Sequence, residues 1–124
     1  AAVLVPEAIA ALRAWRDAGW RLAATAWSPD ATDAVRAALS ATVDAALGAP
    51  LPIAWCRHGA GPPVCWCRKP LPGLGVALAQ QLDLDLAASW HVGTGAADRG
   101  FAERLGLRYV EVSAWLAIDP PPPR

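Results

Sequence analysis

The residues best suited to chemistry lie in one short stretch: Cys56-x-His58 is followed by Cys65-x-Cys67. Three sulfurs and one imidazole make a closed tetrahedral donor set for a structural zinc ion. Gly59, Gly61, Pro62 and Pro63 suit a chain that folds back on itself between the two pairs. The competing readings are small buried side chains or half of a disulfide. They fare worse, because three is an odd number of cysteines and a C-x-C pair closes a strained ring. The expectation is therefore a zinc site with no open position, in a reducing cytoplasm. Such a site contributes ~10 kcal/mol or more of folding free energy to a loop with little apolar material of its own. Directly after it stand Arg68 and Lys69, and Lys69 is the single lysine among 11 basic residues. In an Ala-rich chain that otherwise uses arginine, a surviving lysine is a candidate for chemistry. Between Asp44 and Asp83 there is no acidic residue, whereas Arg57, Arg68 and Lys69 fall inside that gap. A local cationic loop of this kind is suited to an anion such as phosphate. For Arg57, a solvated surface position stays open as the alternative.

The elements that must position these residues alternate from end to end. Pro6 opens a helical stretch with Ile9, Leu12 and Trp15 at three-residue spacing and Gly19 as its stop. Trp20 to Ala26 reads as a short buried strand, and Ser28-Pro29-Asp30 as a turn. Asp30 or Thr32 caps a second helix that runs through Val35, Leu39 and Val43 to Gly48. Further strands are expected at Pro52 to Trp55, Ser89 to Gly93 and Leu107 to Val112, with helices at Leu74 to Leu82 and Ala96 to Leu105. Pro120 to Pro123 reads as a frayed polyproline end with no core to join. Strands separated by single helices imply parallel pairing with right-handed crossovers, an α/β Rossmann-type sheet of four to five strands. The expected organisation is one domain over residues 1–112, a zinc loop at 56–70 and a tail at 113–124. In such sheets ligands bind at the carboxyl ends of the strands, here marked by Thr25, Cys56 and Thr94.

Composition narrows the classes. At 124 residues, 55% hydrophobic and 18% charged, the chain is long and apolar enough for a packed core. Eleven basic and eleven acidic residues leave zero net charge, which disfavours a nucleic-acid binder, as does the lack of an aromatic–basic stripe. No apolar run reaches the ~18–20 residues of a membrane span. There is no methionine, so the chain is expected to be processed, trimmed or part of something longer.

Cys65-Trp66-Cys67-Arg68-Lys69-Pro70-Leu71-Pro72-Gly73 resembles the C-x-C-R-K-P-x-P-G run of haloacid dehalogenase-like (HAD) phosphatases, in the branch of the heptose bisphosphate and histidinol phosphate phosphatases. VPEAIAALRAWRDAGWRLAATAWS is similar to the family's helix, glycine and strand ending in Thr-Asn-Gln-Ser, and SWHVGTGAADRGFAERLG to its S-x-x-V-G-D-x-x-x-D segment. The resemblance implies zinc held by Cys56, His58, Cys65 and Cys67. It implies that Arg68 and Lys69 contact a substrate phosphate and the nucleophilic carboxylate, and that Thr25 and Ser28 lie at the phosphate. It further implies a magnesium ion and a small phosphorylated metabolite as substrate, a sugar bisphosphate or histidinol phosphate. Asp98 matches the second acid of the S-x-x-V-G-D segment, although it also reads as a first-turn acid complementing a helix dipole.

The pattern breaks where the family's catalysis is centred. Its D-x-D-G-T motif, on a central first strand, has no counterpart, because Ala1 to Val5 contains no acid. Thr94 stands where the family has a magnesium-binding aspartate, and a neutral hydroxyl is a poor substitute for a carboxylate. Ala26 and Trp27 replace the Asn and Gln after Thr25. His91, beside Trp90 in mid-strand, is read as structural, and the seven tryptophans as core, except Trp27 and Trp66 near the cleft. The expectation is a phosphatase-like chain that is inactive as it stands, through either a missing N-terminal segment or degeneration. Thr94 and Ala26 favour degeneration, since loss of an N-terminus does not change the middle. The alternative is a non-catalytic, zinc-stabilised domain that binds a phosphorylated ligand or a protein partner. Ala1 to Val5 is expected either as a shortened central strand between the strands at 20–26 and 89–93, favoured for a monomer, or as a frayed segment in a chain that associates with a partner.

Overall fold

The computed structural model describes residues 5–27, 30–58 and 69–123. Helix α1 spans Pro6–Asp17, with proline in its first turn, Glu7 near its positive end and Arg16 near its negative end. Strand β1 is Ala24–Trp27 and helix α2 is Asp33–Leu47. Of the two possible caps of α2 the structure uses Thr32, whose hydroxyl accepts the Val35 N–H at 3.1 Å. Gly48, left-handed at φ 73°, ends the helix. Then follow β2 (Ile53–Cys56), α3 (Gly73–Leu82), a single 3₁₀ turn at Leu86–Ala88, β3 (Trp90–Gly93), α4 (Gly95–Leu105), β4 (Arg108–Glu111) and one turn of helix, α5 (Val112–Trp115). Among the described residues no helix is long and apolar enough to cross a membrane.

The α/β alternation and parallel pairing are as expected. β1 pairs with β2, Ala24 opposite Ile53 and Trp27 opposite Cys56. β3 pairs with β4, Trp90 opposite Arg108 and Gly93 opposite Glu111. Each pair is closed by one crossover helix, α2 or α4. Among the described residues these form two two-stranded sheets, and a cavity of about 350 Å³ is lined by Ala23, Ala24 and Thr25 of the first half and by Ser89, Trp90 and His91 of the second. Residues 1–4 of the expected central strand lie outside the described residues. Val5 is not on a strand; it is the N-cap of α1, and its carbonyl accepts the Ile9 N–H at 3.1 Å.

Two further expectations change. The first strand begins four residues late because Trp20 is otherwise engaged. Its backbone N–H donates to the Trp15 carbonyl at 3.1 Å and its indole N–H to the Pro121 carbonyl at 2.6 Å. That second bond also corrects the frayed end, since the polyproline segment is docked. Trp15, buried, stacks with Trp20 and Trp90 at centroid distances of 5.1 Å and with Trp115 at 6.4 Å. The C-terminal segment thus joins the core through Trp115, while α3 and α4 contribute Leu74, Leu78 and Phe101.

Candidate functional site

Asp98 is the centre of the best-organised polar cluster among the described residues. It lies in the first turn of α4, just past the carboxyl end of β3, and its side chain folds back on the helix start. Oδ2 accepts the Thr94 N–H at 2.9 Å, while Oδ1 accepts from Lys69 Nζ at 2.8 Å and His91 Nε2 at 2.7 Å. This approach requires Gly93: a Cβ there would lie 2.3 Å from Asp98 Cγ. In this position Asp98 complements the helix dipole and also pairs with a cation.

Lys69 reaches Asp98 from the chain leading into α3, with Nζ also 5.2 Å from the Phe101 ring centroid. The Lys69–Pro70 peptide is cis. The side chains of Lys69, Asp98 and His91 are 23%, 16% and 12% exposed, so the cluster is sheltered but reachable. Burial raises the Asp98 carboxyl, but hydrogen bonds from Lys69, His91 and the Thr94 N–H, with the Lys69 charge, outweigh it and hold the pKa at about 2. Burial lowers the His91 pKa; the Asp98 hydrogen bond opposes this and the Lys69 charge adds to it. His91 is thus neutral at pH 7, with its proton on Nε2 facing the carboxylate. Thr25, the expected phosphate hydroxyl, lines the same cavity as Lys69 and His91. Lys69 thus joins Asp98, which it pairs with, to the cavity that Thr25 also lines.

A second cluster forms at the ends of β1 and β2. Cys56 is fully buried and its Sγ lies 3.6 Å from His58 Nδ1. Bonds of about 2.3 Å to sulfur and 2.0–2.1 Å to nitrogen at a tetrahedral zinc would put the two donors about 3.6 Å apart. The two donors thus fit one ion. Cys65 and Cys67, with Arg68 and Ser28, lie outside the described residues, and among those described no group of three or more ligands could hold a metal. The Trp27 indole donates to the His58 carbonyl at 2.7 Å, which ties β1 to the start of this loop. Arg57, 57% exposed, is paired with Asp33 at 3.0 Å. Arg36 bonds the same carboxyl at 2.8 Å, and its hydrogen bond with both cationic charges holds the Asp33 pKa below the usual value.

Magnesium does not fit the carboxylates present. Every acidic residue of the sequence is among those described. Thr94 offers a hydroxyl, and Asp98 is committed to Lys69 and His91. Glu111, at the end of β4, accepts the Tyr109 hydroxyl at 2.7 Å and the Gly95 N–H at 3.4 Å. Asp83 and Asp85 lie ahead of β3, at the opposite end of the strand from Asp98. There Asp83 ends α3 in a left-handed conformation, and Asp85 caps the 3₁₀ turn through the Ala87 N–H at 3.1 Å.

Sequence reasoning passed over His91 and did not weigh Glu111. The signal for His91 was its strand phase. Residues two apart share a face, so His91 and Gly93 both turn towards the start of α4, where the Gly93 side leaves room for Asp98.

No family model matches the chain, and no curated protein matches it significantly. Among solved structures it is similar to the crystal structure of D,D-heptose 1,7-bisphosphate phosphatase from B. bronchiseptica complexed with magnesium and phosphate, with a TM-score of 0.73 and 28% identity. The match covers 86% of this chain and 64% of that one, so the chain spans just under two thirds of its length. The α/β fold is similar to that of a HAD phosphatase.

Proposed function

We propose that this chain is a phosphatase-like α/β domain that binds the phosphate group of a small phosphorylated metabolite and, as these 124 residues stand, does not hydrolyse it. The observation that carries this reading is the single lysine, held at 2.8 Å by Asp98 in the cavity that Thr25 also lines. The phosphate-bound solved structure, similar over 86% of the chain, supports the anion as ligand. Lys69 supplies a point charge and Thr25 a hydroxyl donor, with Arg68 and Ser28 proposed as further contacts. A sugar bisphosphate or histidinol phosphate is the substrate class that the sequence resemblance favours.

Hydrolysis through a covalent intermediate needs an unencumbered nucleophilic carboxylate and a charge-neutralising ion. Asp98 and Glu111, the carboxylates just past β3 and on β4, are both engaged in hydrogen bonds. Zinc, in contrast, fits the Cys56 and His58 donors, with Cys65 and Cys67 proposed to complete the set. Bound there, it would cross-link the loop that delivers Lys69.

Titration calorimetry with inorganic phosphate tests the reading. Saturable binding that is lost in Lys69→Ala is expected, together with no release of phosphate from a sugar bisphosphate. Absence of binding, or binding indifferent to Lys69, would overturn it. Elemental analysis is expected to find one zinc per chain, lost in Cys56→Ser; a metal-free preparation that folds normally would remove the zinc proposal.

A further inference from the structure

We infer that His91 is a positioning residue that lets Lys69 leave Asp98 for an incoming phosphate. The inference rests on the phosphate-binding reading and adds to it how the cation is released. Lys69 Nζ and His91 Nε2 share one oxygen, Asp98 Oδ1, at 2.8 and 2.7 Å. The other oxygen is taken by the Thr94 N–H at 2.9 Å. A lysine that turns from this carboxylate to a phosphate strips Asp98 of its counter-charge. Leaving a sheltered carboxylate short of donors is costly, and that cost is subtracted from the anion's affinity.

The geometry already provides the replacement. When Lys69 leaves, His91 keeps Oδ1 satisfied and Thr94 keeps Oδ2, so the carboxylate remains hydrogen-bonded on both oxygens. The imidazole is fixed for this task by packing, its ring centroid 4.7 Å from Phe101 and 6.3 Å from Tyr109. Lys69 and His91 line the same cavity as Thr25, so the released ammonium faces space that an anion can enter. Asp98 in this view stores the cation, and His91 holds Asp98 in place once the cation is in use.

The single lysine makes the test direct, because selective ¹⁵N labelling gives one side-chain ammonium signal. Inorganic phosphate is expected to shift that signal in the unaltered chain. In His91→Phe the affinity should fall about tenfold, equivalent to about 1.4 kcal/mol, and the ammonium signal should stay at its Asp98-bound position at phosphate concentrations that saturate the parent. His91→Gln, whose amide nitrogen reaches towards the Nε2 position, should restore affinity to within about threefold. In an Asp98→Asn background His91→Phe should have no further effect, since no charge remains to be held. Should the phenylalanine variant not fold, His91→Asn, too short to reach Asp98, takes its place with the same expected loss. Equal affinities for parent and His91→Phe, or failure of glutamine to rescue, would overturn the inference while leaving the phosphate reading intact. An ammonium signal unmoved by phosphate in the parent would overturn both.

Discussion

A carboxylate with three donors at 2.7–2.9 Å makes stability depend on pH in a direction that can be worked out. Asp98 has its folded pKa near 2, below the ordinary 3.8. Its contribution is full above about pH 4 and is lost as pH falls through 2, because the unfolded chain takes the proton first. His91 has its folded pKa below 6.5. The unfolded chain again binds the proton at higher pH, so stability declines as pH drops below 6.5. Both effects run the same way. Urea unfolding midpoints are expected to fall in two stages, below pH 6.5 and again below pH 4, with Asp98 contributing on the order of 1–2 kcal/mol after allowance for solvent screening. Asp98→Asn should flatten the acidic stage and His91→Gln the milder one; a profile unchanged by either substitution would contradict the assignment. At this scale the sequence was informative where composition isolated a residue, as with Lys69. It was silent on the partner of His91, because a histidine among apolar strand residues carries no mark of the carboxylate that meets it from the next helix.

Elements were legible to the extent that local chemistry decides them. Thr32, Gly48 and Pro6 mark helix ends through backbone groups within a few residues, and the strands were found in order. Strand length was not legible, because it depends on distant partners. Trp20 is withdrawn from β1 by Pro121, and nothing in the periodicity of β1 or β3 tells whether they share a ladder. The packing of α4 on its neighbours is equally non-local and makes two testable demands. A Cβ at Gly75 on α3 would lie 2.3 Å from Leu105 Cδ1 and 3.0 Å from Phe101 Cζ, and one at Gly93 would displace Asp98. Leu105 can rotate away, but Phe101 is a buried ring that cannot. Gly75→Val is therefore expected to cost about 1–3 kcal/mol by overpacking while Lys69 keeps its partner. Gly93→Ala should cost a similar amount and also move the Lys69 ammonium signal, because the carboxylate that holds it must shift. Chemical denaturation together with the lysine spectrum distinguishes the two; identical spectra would show that Gly93 serves packing alone.

At the scale of the whole molecule, the core is closed by joining α1 to the segment that follows β4. Trp15 and Trp20 come from α1 and its exit, Trp90 from β3 and Trp115 from α5, and their rings meet within 5.1–6.4 Å. Aromatic side chains dominate the energetics of such a junction, since each removes a large apolar area from water. The Trp20 indole then fastens Pro121, and Pro123 packs against the Gly19 position. The residues beyond Val112 are accordingly structural. Trp115, 5% exposed, should cost about 3–5 kcal/mol when replaced by alanine, a large part of the 5–15 kcal/mol typical of a domain. Trp20→Phe keeps most of the ring and loses one hydrogen bond, so about 1 kcal/mol is expected. Removing residues 119–124 should cost at least as much as Trp20→Phe, for the same bond is lost. The two changes combined should cost less than their sum, because they break one shared contact. Unfolding followed by circular dichroism, which does not depend on the altered tryptophans, measures all four variants. Full additivity of the truncation with Trp20→Phe would show that the C-terminal segment is held by something other than this bond.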